Sequence, residues 1–291
     1  MRTKIKFTKM HGLGNDYIYI DSQRYNITNP NALAIALSNR HTGIGGDGLV
    51  LIGTSNVAQF SMRIFNADGS EALMCGNALR CIGKYVYDKG LCKDTNISIE
   101  TLSGLKHLKL HIKDQFVESV TVDMGIPLLR NKEQVNNHNG ELIDADFSTE
   151  DGQTIKGTYV CMGNPHMVFF VDDINSFDLA RFGQQIENHS LFPLRTNVEI
   201  ASVSNDGCIE MRVWERGSGE TQACGTGACA TLVAAHSTNR IGNNAIVKMK
   251  GGDLKINWHS DNHIYMTGEA VSIFDGEIEY WPHFFLTNLL I

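Results

Sequence analysis

Two stretches of the sequence, EALMCGNALRC at 71–81 and ETQACGTGACA at 220–230, carry one pattern twice. Glu71 lies four residues before Cys75, as Glu220 does before Cys224, and in each case a Cys-Gly turn leads into small and apolar residues. A turn that enters a helix, used twice, constrains the chain to a duplicated scaffold with the same corner in each half. The corner is unusual for a cysteine, because a core thiol needs no glycine-rich turn. Backbone N–H groups and the positive end of a helix dipole favour a thiolate there, so Cys224 is expected to be charged, with Cys75 as its counterpart.

Around the corners, short alternating stretches recur: KIKFTKM, YIYID, GLVLIG, FSMRIF, LKHLKLHI, VESVTVDM, MVFFV, CIEMRVWE, LKINW and HIYMTGEA. Their period of two and β-branched content predict half-buried strands. Two helical segments stand out against them. In GNALRCIGKYVYDKG, Leu79, Ile82 and Val86 fall at i, i+3 and i+7, with Gly90 as the stop. In GACATLVAAHSTNRIG, Ala230, Val233 and Ala234 share one face and Gly242 lies beyond the end. The expected fold is mixed α and β, strand-rich, with two principal helices. The polar stretch RNKEQVNNHNGELIDADFSTEDG, 130–152, is expected to be loop.

At 291 residues the chain is comfortable for two domains. Its formal charge of −7 argues against a nucleic acid or an anionic membrane as the main partner. No apolar run approaches the ~20 residues that span a bilayer, and MRTKIKFTKMHGLGND has no apolar core of a signal peptide. Seven cysteines, an odd number in a chain that needs no staples, favour reduced thiols in a cytoplasm.

Several chemistries fail on spacing. GIGGDG at 43–48 satisfies G-x-G-x-x-G, but NALAIALSNR before it reads as helix and LVLIG after it as strand. That is the reverse of a dinucleotide site. Zinc knuckles use C-x2-C, whereas Cys75/Cys81 and Cys224/Cys229 are spaced C-x5-C and C-x4-C. Cys81 and Cys229 fall inside the predicted helices as buried structural thiols, and Cys92, Cys161 and Cys208 are read as small core hydrophobes. A cysteine–histidine hydrolase could take His166 of GNPH as its base, yet that leaves the second Cys-Gly turn unexplained.

Both turns find a use if the thiols face one another. Inverting a carbon by moving its proton needs a base on one face and an acid on the other. One thiolate and one thiol supply both, and backbone amides at the turns can hold the substrate carboxylate. Asn15, Asn66, Asn164 and Asn197, all at expected strand ends or turns, offer neutral donors and acceptors suited to an amino-acid zwitterion. Glu215 and Arg216 stand just before the second thiol, where Arg216 could fork onto a carboxylate.

These residues resemble the diaminopimelate epimerases. The likeness runs in order through KMHGLGNDY, RHTGIGGDG, FNADGSEALMCGNALRC, GNPH, TNVE and WERGSGETQACGTGACA, and so spans most of the chain. It implies two similar α/β domains, each a curved, mostly antiparallel sheet around a central helix, closing on substrate between them. The first would be residues 1–122 completed by 270–291, and the second residues 123–269. It further implies that Cys75 and Cys224 are the acid–base pair. Asn15, Asn66, Gly76, Asn77, Asn164, Asn197, Glu215, Arg216, Gly225 and Thr226 would bind substrate, and His166 and Glu215 would tune the thiols. The implied enzyme is a cytoplasmic homodimer that needs neither pyridoxal phosphate nor metal and acts on a small diamino-dicarboxylic acid. Two departures stand out: Gly48 replaces a frequent substrate-binding glutamine, and CGNALRC replaces CGNGARC. The first leaves open a racemase of another amino acid on the same scaffold. From another class, a non-catalytic amino-acid-binding protein would have no need of paired thiols.

Overall fold

The structure, a computed structural model, describes residues 3–148, 152, 154–204 and 206–280. It divides into two compact units, one running to Val122 and resumed from Gly268, the other spanning Asp123–Thr267. Residues 281–291 of the expected return segment, and residues 149–151 of the expected loop, lie outside the described residues.

The first unit contains β1 (Thr3–Gly12), β2 (Asn15–Asp21), α1 (Pro30–Ser38), β3 (Gly48–Gly53), β4 (Phe60–Asn66), β5 (Glu71–Ala72), α2 (Gly76–Asp88), β6 (Asn96–Thr101) and β7 (Gly104–Lys113), with most of β8 (Phe116–Gly125). The second contains β9 (Ala145–Ser148), β10 (Thr154–Cys161), β11 (Pro165–Phe170), α3 (Leu179–Glu187), β12 (Asn197–Val203), β13 (Cys208–Glu215), β14 (Gly219–Thr221), α4 (Gly225–Ser237), β15 (Asn244–Met249) and β16 (Gly252–Trp258), with most of β17 (Ile264–Glu269). β18 (Val271–Tyr280) then pairs antiparallel with β1.

The same ladder runs through both units. In the first, β1 pairs antiparallel with β2, β2 parallel with β3, β3 antiparallel with β4, and β4 parallel with β6. In the second, β10–β11 is antiparallel, β11–β12 parallel, β12–β13 antiparallel and β13–β15 parallel. One residue offset, 149 (224 − 75), relates the two. Tyr17 pairs with Gly48 as His166 pairs with Asn197, and Phe65 with Glu71 as Trp214 with Glu220. The same offset carries α1 onto α3 and α2 onto α4, end to end. The register slips by one in the first hairpin, where Gly12–Asn15 is matched by Cys161–Pro165, and again after the central helices, where Phe60–Ile99 is matched by Ile209–Val247.

α2 and α4 are the core elements. Along α2 the buried residues run from Gly76 to Gly83 and include Val86, and along α4 Gly225 and Gly227 through Ala235 are all buried. The one-faced helix expected from Ala230, Val233 and Ala234 is therefore replaced by one apolar all round, as a helix wrapped by sheet must be. Its small residues let strands approach closely, and it packs against β10–β13, β15 and β16. Each fully buried Leu, Ile or Val on these helices contributes about 1.5–3 kcal/mol. The helix read from NALAIALSNR is α1, and beyond the expected helices the structure has α3. The latter buries Leu179, Phe182 and Ile186 against Phe169, which meets Phe182 edge to face at 4.9 Å. The polar stretch 130–152 is also not all loop, since β9 pairs with β10 through Phe147 and Ile155. Cys81, Cys161 and Cys229 are buried as expected, but Cys92 and Cys208 are only half-buried.

The duplication extends to an ion pair before each corner. Arg63 grips Glu71 through Nε and Nη2 at 2.7 and 3.0 Å, and Arg212 grips Glu220 in the same way at 2.8 and 3.0 Å. The second pair is more enclosed: Arg212 also donates to the Ile174 and Phe177 carbonyls, and Lys250 joins Glu220 at 2.6 Å. The Arg212 hydrogen bond, aided by Lys250 and opposed by burial, holds the Glu220 carboxyl at about 2, below its ordinary 4.5. Arg212→Ala is expected to cost about 1.5–3 kcal/mol, leaving buried acceptors unpaired, against less than about 1 kcal/mol for the exposed Arg63→Ala. Urea denaturation checks the order. Because folding lowers the Glu220 pKa, its contribution is complete above pH 4.5 and is lost as pH falls toward about 2, so Glu220→Gln should flatten that acid limb.

Candidate active site

Each central helix begins at a cysteine. Cys75 is the N-cap of α2 with φ −140° and ψ 119°, and Cys224 is the N-cap of α4 with φ −129° and ψ 113°. Neither helix has a side-chain cap hydrogen bond, so the first-turn amides, including those of Gly76, Asn77, Gly225 and Thr226, lack an intrahelical acceptor. They face outward along the positive end of the dipole, where an anion is stabilised.

In the first unit, Cys75 is half-buried and its S–H donates to Asn15 Oδ1 at 3.4 Å. That amide has one orientation, because its Nδ2 donates to the Asp47 carboxylate at 2.7 Å and a carboxylate only accepts. Asp47 is itself held by Arg40 at 2.9 Å, and Arg40 forks onto Asp16 at 2.7 and 3.1 Å. Buried Lys9 closes the network on Asp16 at 2.7 Å and on the Gly45 carbonyl. Burial pushes the Asp16 carboxyl up, but the bonds from Arg40 and Lys9 outweigh it and hold it below the usual range. The sequence reading missed this support. Its signal was the pair of acids in GNDY and GGDG, 31 residues apart, which β2 and β3 bring together as parallel neighbours. Asn77, on the first turn of α2, is buried with an Oδ1 that has no hydrogen-bond partner among the described residues. Asn66, the last residue of β4, donates to Ser70 Oγ at 3.0 Å.

In the second unit Cys224 is buried, with Sγ 3.4 Å from Thr226 Oγ1. Thr226 accepts from Asn164 Nδ2 at 3.4 Å, and Asn164 Oδ1 lies 3.1 Å from His166 Nε2. Burial, then the Glu215 and Glu199 carboxylates, push the Cys224 thiol well above its ordinary value, against smaller help from Thr226 and the Gly227 amide. This corrects the expectation of a charged Cys224. Desolvation and two acids act against the helix dipole and favour the thiol. Glu215, closing β13, accepts from Thr221 Oγ1 at 2.5 Å. Asn197 is buried and occupied by the backbone, donating to the Pro165 carbonyl and accepting from the Arg216 amide, both at 2.9 Å. The Arg216 side chain is exposed and donates to the Leu194 carbonyl at 2.7 Å.

The offset makes these residues counterparts: Asn15 with Asn164, Asn66 with Glu215, Tyr17 with His166, and Gly48 with Asn197. Each unit thus carries a corner of the same geometry, with a thiol at an uncapped helix start and first-turn amides able to stabilise an anion.

The sequence pattern of the family described as diaminopimelate epimerase matches residues 7–129 and 158–273. The chain belongs to this family. It is 58% identical to the diaminopimelate epimerase of Phocaeicola vulgatus, covering 96% of this chain and all of the relative. It is 50% identical to that of Methanococcus maripaludis strain C6, covering 94% of this chain and all of the relative. Among solved structures it resembles a Bacillus anthracis phenazine biosynthesis protein of the PhzF family, at TM-score 0.70 and 14% identity over 95% of this chain and 99% of that one. It also resembles a hydroxyproline epimerase from Agrobacterium vitis, at TM-score 0.67 and 15% identity over 95% of this chain and 91% of that one. At that identity these two establish the fold. The family is one of isomerases, and no helix among the described residues is long and apolar enough to cross a membrane.

Gly48, the position at which the resemblance implies a glutamine, is closed to a side chain. A Cβ there would lie 2.0 Å from the Phe65 carbonyl and 2.8 Å from the Tyr17 ring. Gly48→Gln should therefore destabilise the first unit by about 1–3 kcal/mol, as overpacking does, rather than restore a substrate contact. Thermal denaturation beside kcat/KM checks this: a stable and more active variant would refute it.

Proposed function

We propose that this chain interconverts LL- and meso-diaminopimelate by exchanging the proton on one α-carbon, with Cys75 and Cys224 as the acid–base pair. What most supports this is the identical placement of the two thiols, each at the N-cap of an uncapped central helix in a duplicated unit. One sulfur, as thiolate, takes the α-proton while the other, as thiol, delivers its own proton to the opposite face of the same carbon. Atoms balance in one step, and the enzyme is left with the two protonation states exchanged, ready for the reverse reaction. Cys224, with its raised pKa, starts as the acid, and Cys75, whose S–H donates to Asn15 at rest, must first give up that proton to act as the base.

Negative charge grows on the α-carboxylate as the proton leaves. First-turn amides at Gly76–Asn77 and Gly225–Thr226 are fixed dipoles aimed at such charge, and preorganised donors of this kind need no rearrangement during the reaction. Asn15, bonded to the Cys75 sulfur, and Asn164, linked to the Cys224 sulfur through Thr226, suit the reacting amino-acid group. Arg216, with Asn66 and Asn197, is assigned to the far end of the substrate. Asn197 acts there by shaping the Arg216 turn, since its amide is already bonded on both sides. His166 and Glu215 adjust the thiols. The setting that goes with this assignment is biosynthetic and cytoplasmic, with a homodimer as the assembly carried by the family resemblance.

Cys75→Ala and Cys224→Ala are each expected to lower kcat by about 10²–10⁴, the range supplied by a positioned acid or base, with the far-UV spectrum unchanged. A coupled assay that follows meso-diaminopimelate formation from the LL isomer measures this. Either variant turning over at the unaltered rate contradicts the pairing. Faster racemisation of histidine, proline, lysine or glutamate than epimerisation of diaminopimelate would retain the chemistry and refute the substrate.

A further inference from the structure

Behind Cys224 lies a buried carboxylate that the two-thiol reaction does not use. Glu199, in the middle of β12, and His166, in β11, are both fully buried, and their Oε1 and Nδ1 atoms are 2.7 Å apart. Glu199 Oε2 has no hydrogen-bond partner among the described residues. Its Oε1 sits against the first turn of α4, so close that a Cβ on Gly227 would lie 2.6 Å away. The counterpart of Glu199 in the first unit is Val50, and that of His166 is Tyr17, so this pair stands behind one thiol alone. A buried acid is costly to keep, which asks for a reason.

The reason is in the hydrogen bonds. From Glu199 they run without a break through His166, Asn164 and Thr226 to the Cys224 sulfur, at 2.7, 3.1, 3.4 and 3.4 Å. Each link has a direction. With Asn164 Oδ1 toward His166, Nε2 must carry a proton, and with Glu199 beside it the Nδ1 position must also hold one. The pair then contains two protons, either as imidazolium with carboxylate or as imidazole with carboxylic acid, and its net charge is zero. Asn164 presents its N–H to Thr226, whose own hydroxyl proton is left for the sulfur. Removal of one proton reverses the chain. Nε2 becomes an acceptor, Asn164 turns its nitrogen to it, and Thr226 donates to the Asn164 oxygen instead of to Cys224. A net negative charge is then left buried beside the first turn of α4.

We propose that Glu199 is a positioning residue whose buried carboxylate, through His166, Asn164 and Thr226, sets which way the hydrogen bonds run onto the Cys224 sulfur. The proposal rests on Cys224 as an acid–base group of the reaction. The titratable groups that act on Glu199 from neighbouring elements are His166 on β11, Glu215 at the end of β13 and Cys224 at the start of α4. Burial pushes the Glu199 carboxyl up against the pull of His166, which favours keeping the second proton on the pair.

The test is the pH dependence of Cys224 alkylation by iodoacetamide, read by peptide mass spectrometry without substrate. Glu199→Gln fills the same volume, donates its amide N–H to Nδ1 and fixes the proton on Nε2. It takes away the proton that the pair can lose as pH rises, so the chain can neither reverse nor leave a buried negative charge, and the alkylation midpoint should fall by about one pH unit. In a Thr226→Val background, where the last donor is gone, the shift caused by Glu199→Gln should shrink to less than half, and Thr226→Ser should restore it. No shift in Glu199→Gln overturns the proposal. An equal shift with and without the Thr226 hydroxyl also overturns it, by showing only a charge acting through space. Epimerisation by the unaltered chain is assayed separately. Its absence would refute the proposed function, while the alkylation result still decides the role of Glu199.

Discussion

A helix buried on nearly every side, whose first turn is left without a cap, is the constraint on which the rest depends. Burial of α2 and α4 gives each unit its core and fixes where the helix starts. An ordinary protein would place Ser, Thr, Asp or Asn at such a start, a choice worth about 1 kcal/mol. Here cysteine stands at both positions and makes no cap bond. The orphan amides that result are a cost to stability and a ready site for a carboxylate. On the proposed mechanism, function is placed where the fold gives up a stabilising contact.

Duplication makes the two corners alike in backbone, and the side chains behind them make them different. At Cys75 the supporting groups are charged and partly exposed, and they reach the thiol through the fixed amide of Asn15. At Cys224 the support is a buried chain ending in His166 and Glu199. On the proposed mechanism, a reaction that runs in both directions needs two equivalent faces, yet in turnover one sulfur must hold a proton that the other lacks. The common scaffold supplies the equivalence, and the unequal surroundings supply the difference.

Much of this is legible in the sequence because the decisive features are local. The Cys-Gly turns, the helices behind them and the asparagines at strand ends each lie within a few residues of one another. α3 is also local, with Leu179, Phe182 and Ile186 at helical spacing, but at nine residues it is short and lies in a polar region. The duplicated register of 149 residues shows in full only through strand pairing, since outside the corners the halves share little beyond polarity. Glu199 was hidden for a different reason. In NVEIASV a glutamate between apolar residues reads as the outward side of a strand, but β12 is central and buried on both faces from Asn197 to Ala201. Its partner, His166, is 33 residues away and is brought beside it by parallel pairing with β11. Nothing in a one-dimensional pattern carries that contact.

The central claim is that two different sulfurs serve the two faces of one carbon, and the fate of solvent deuterium tests it most directly. LL-diaminopimelate is incubated with the reduced protein in deuterium oxide, and substrate and product are separated after a small fraction has turned over. Two thiols predict one deuterium at the inverted carbon of the meso product, while the remaining LL substrate keeps its α-hydrogen. Product that retains the substrate's own hydrogen, or substrate that gains deuterium as fast as product forms, would mean that a single group serves both faces and would contradict the account.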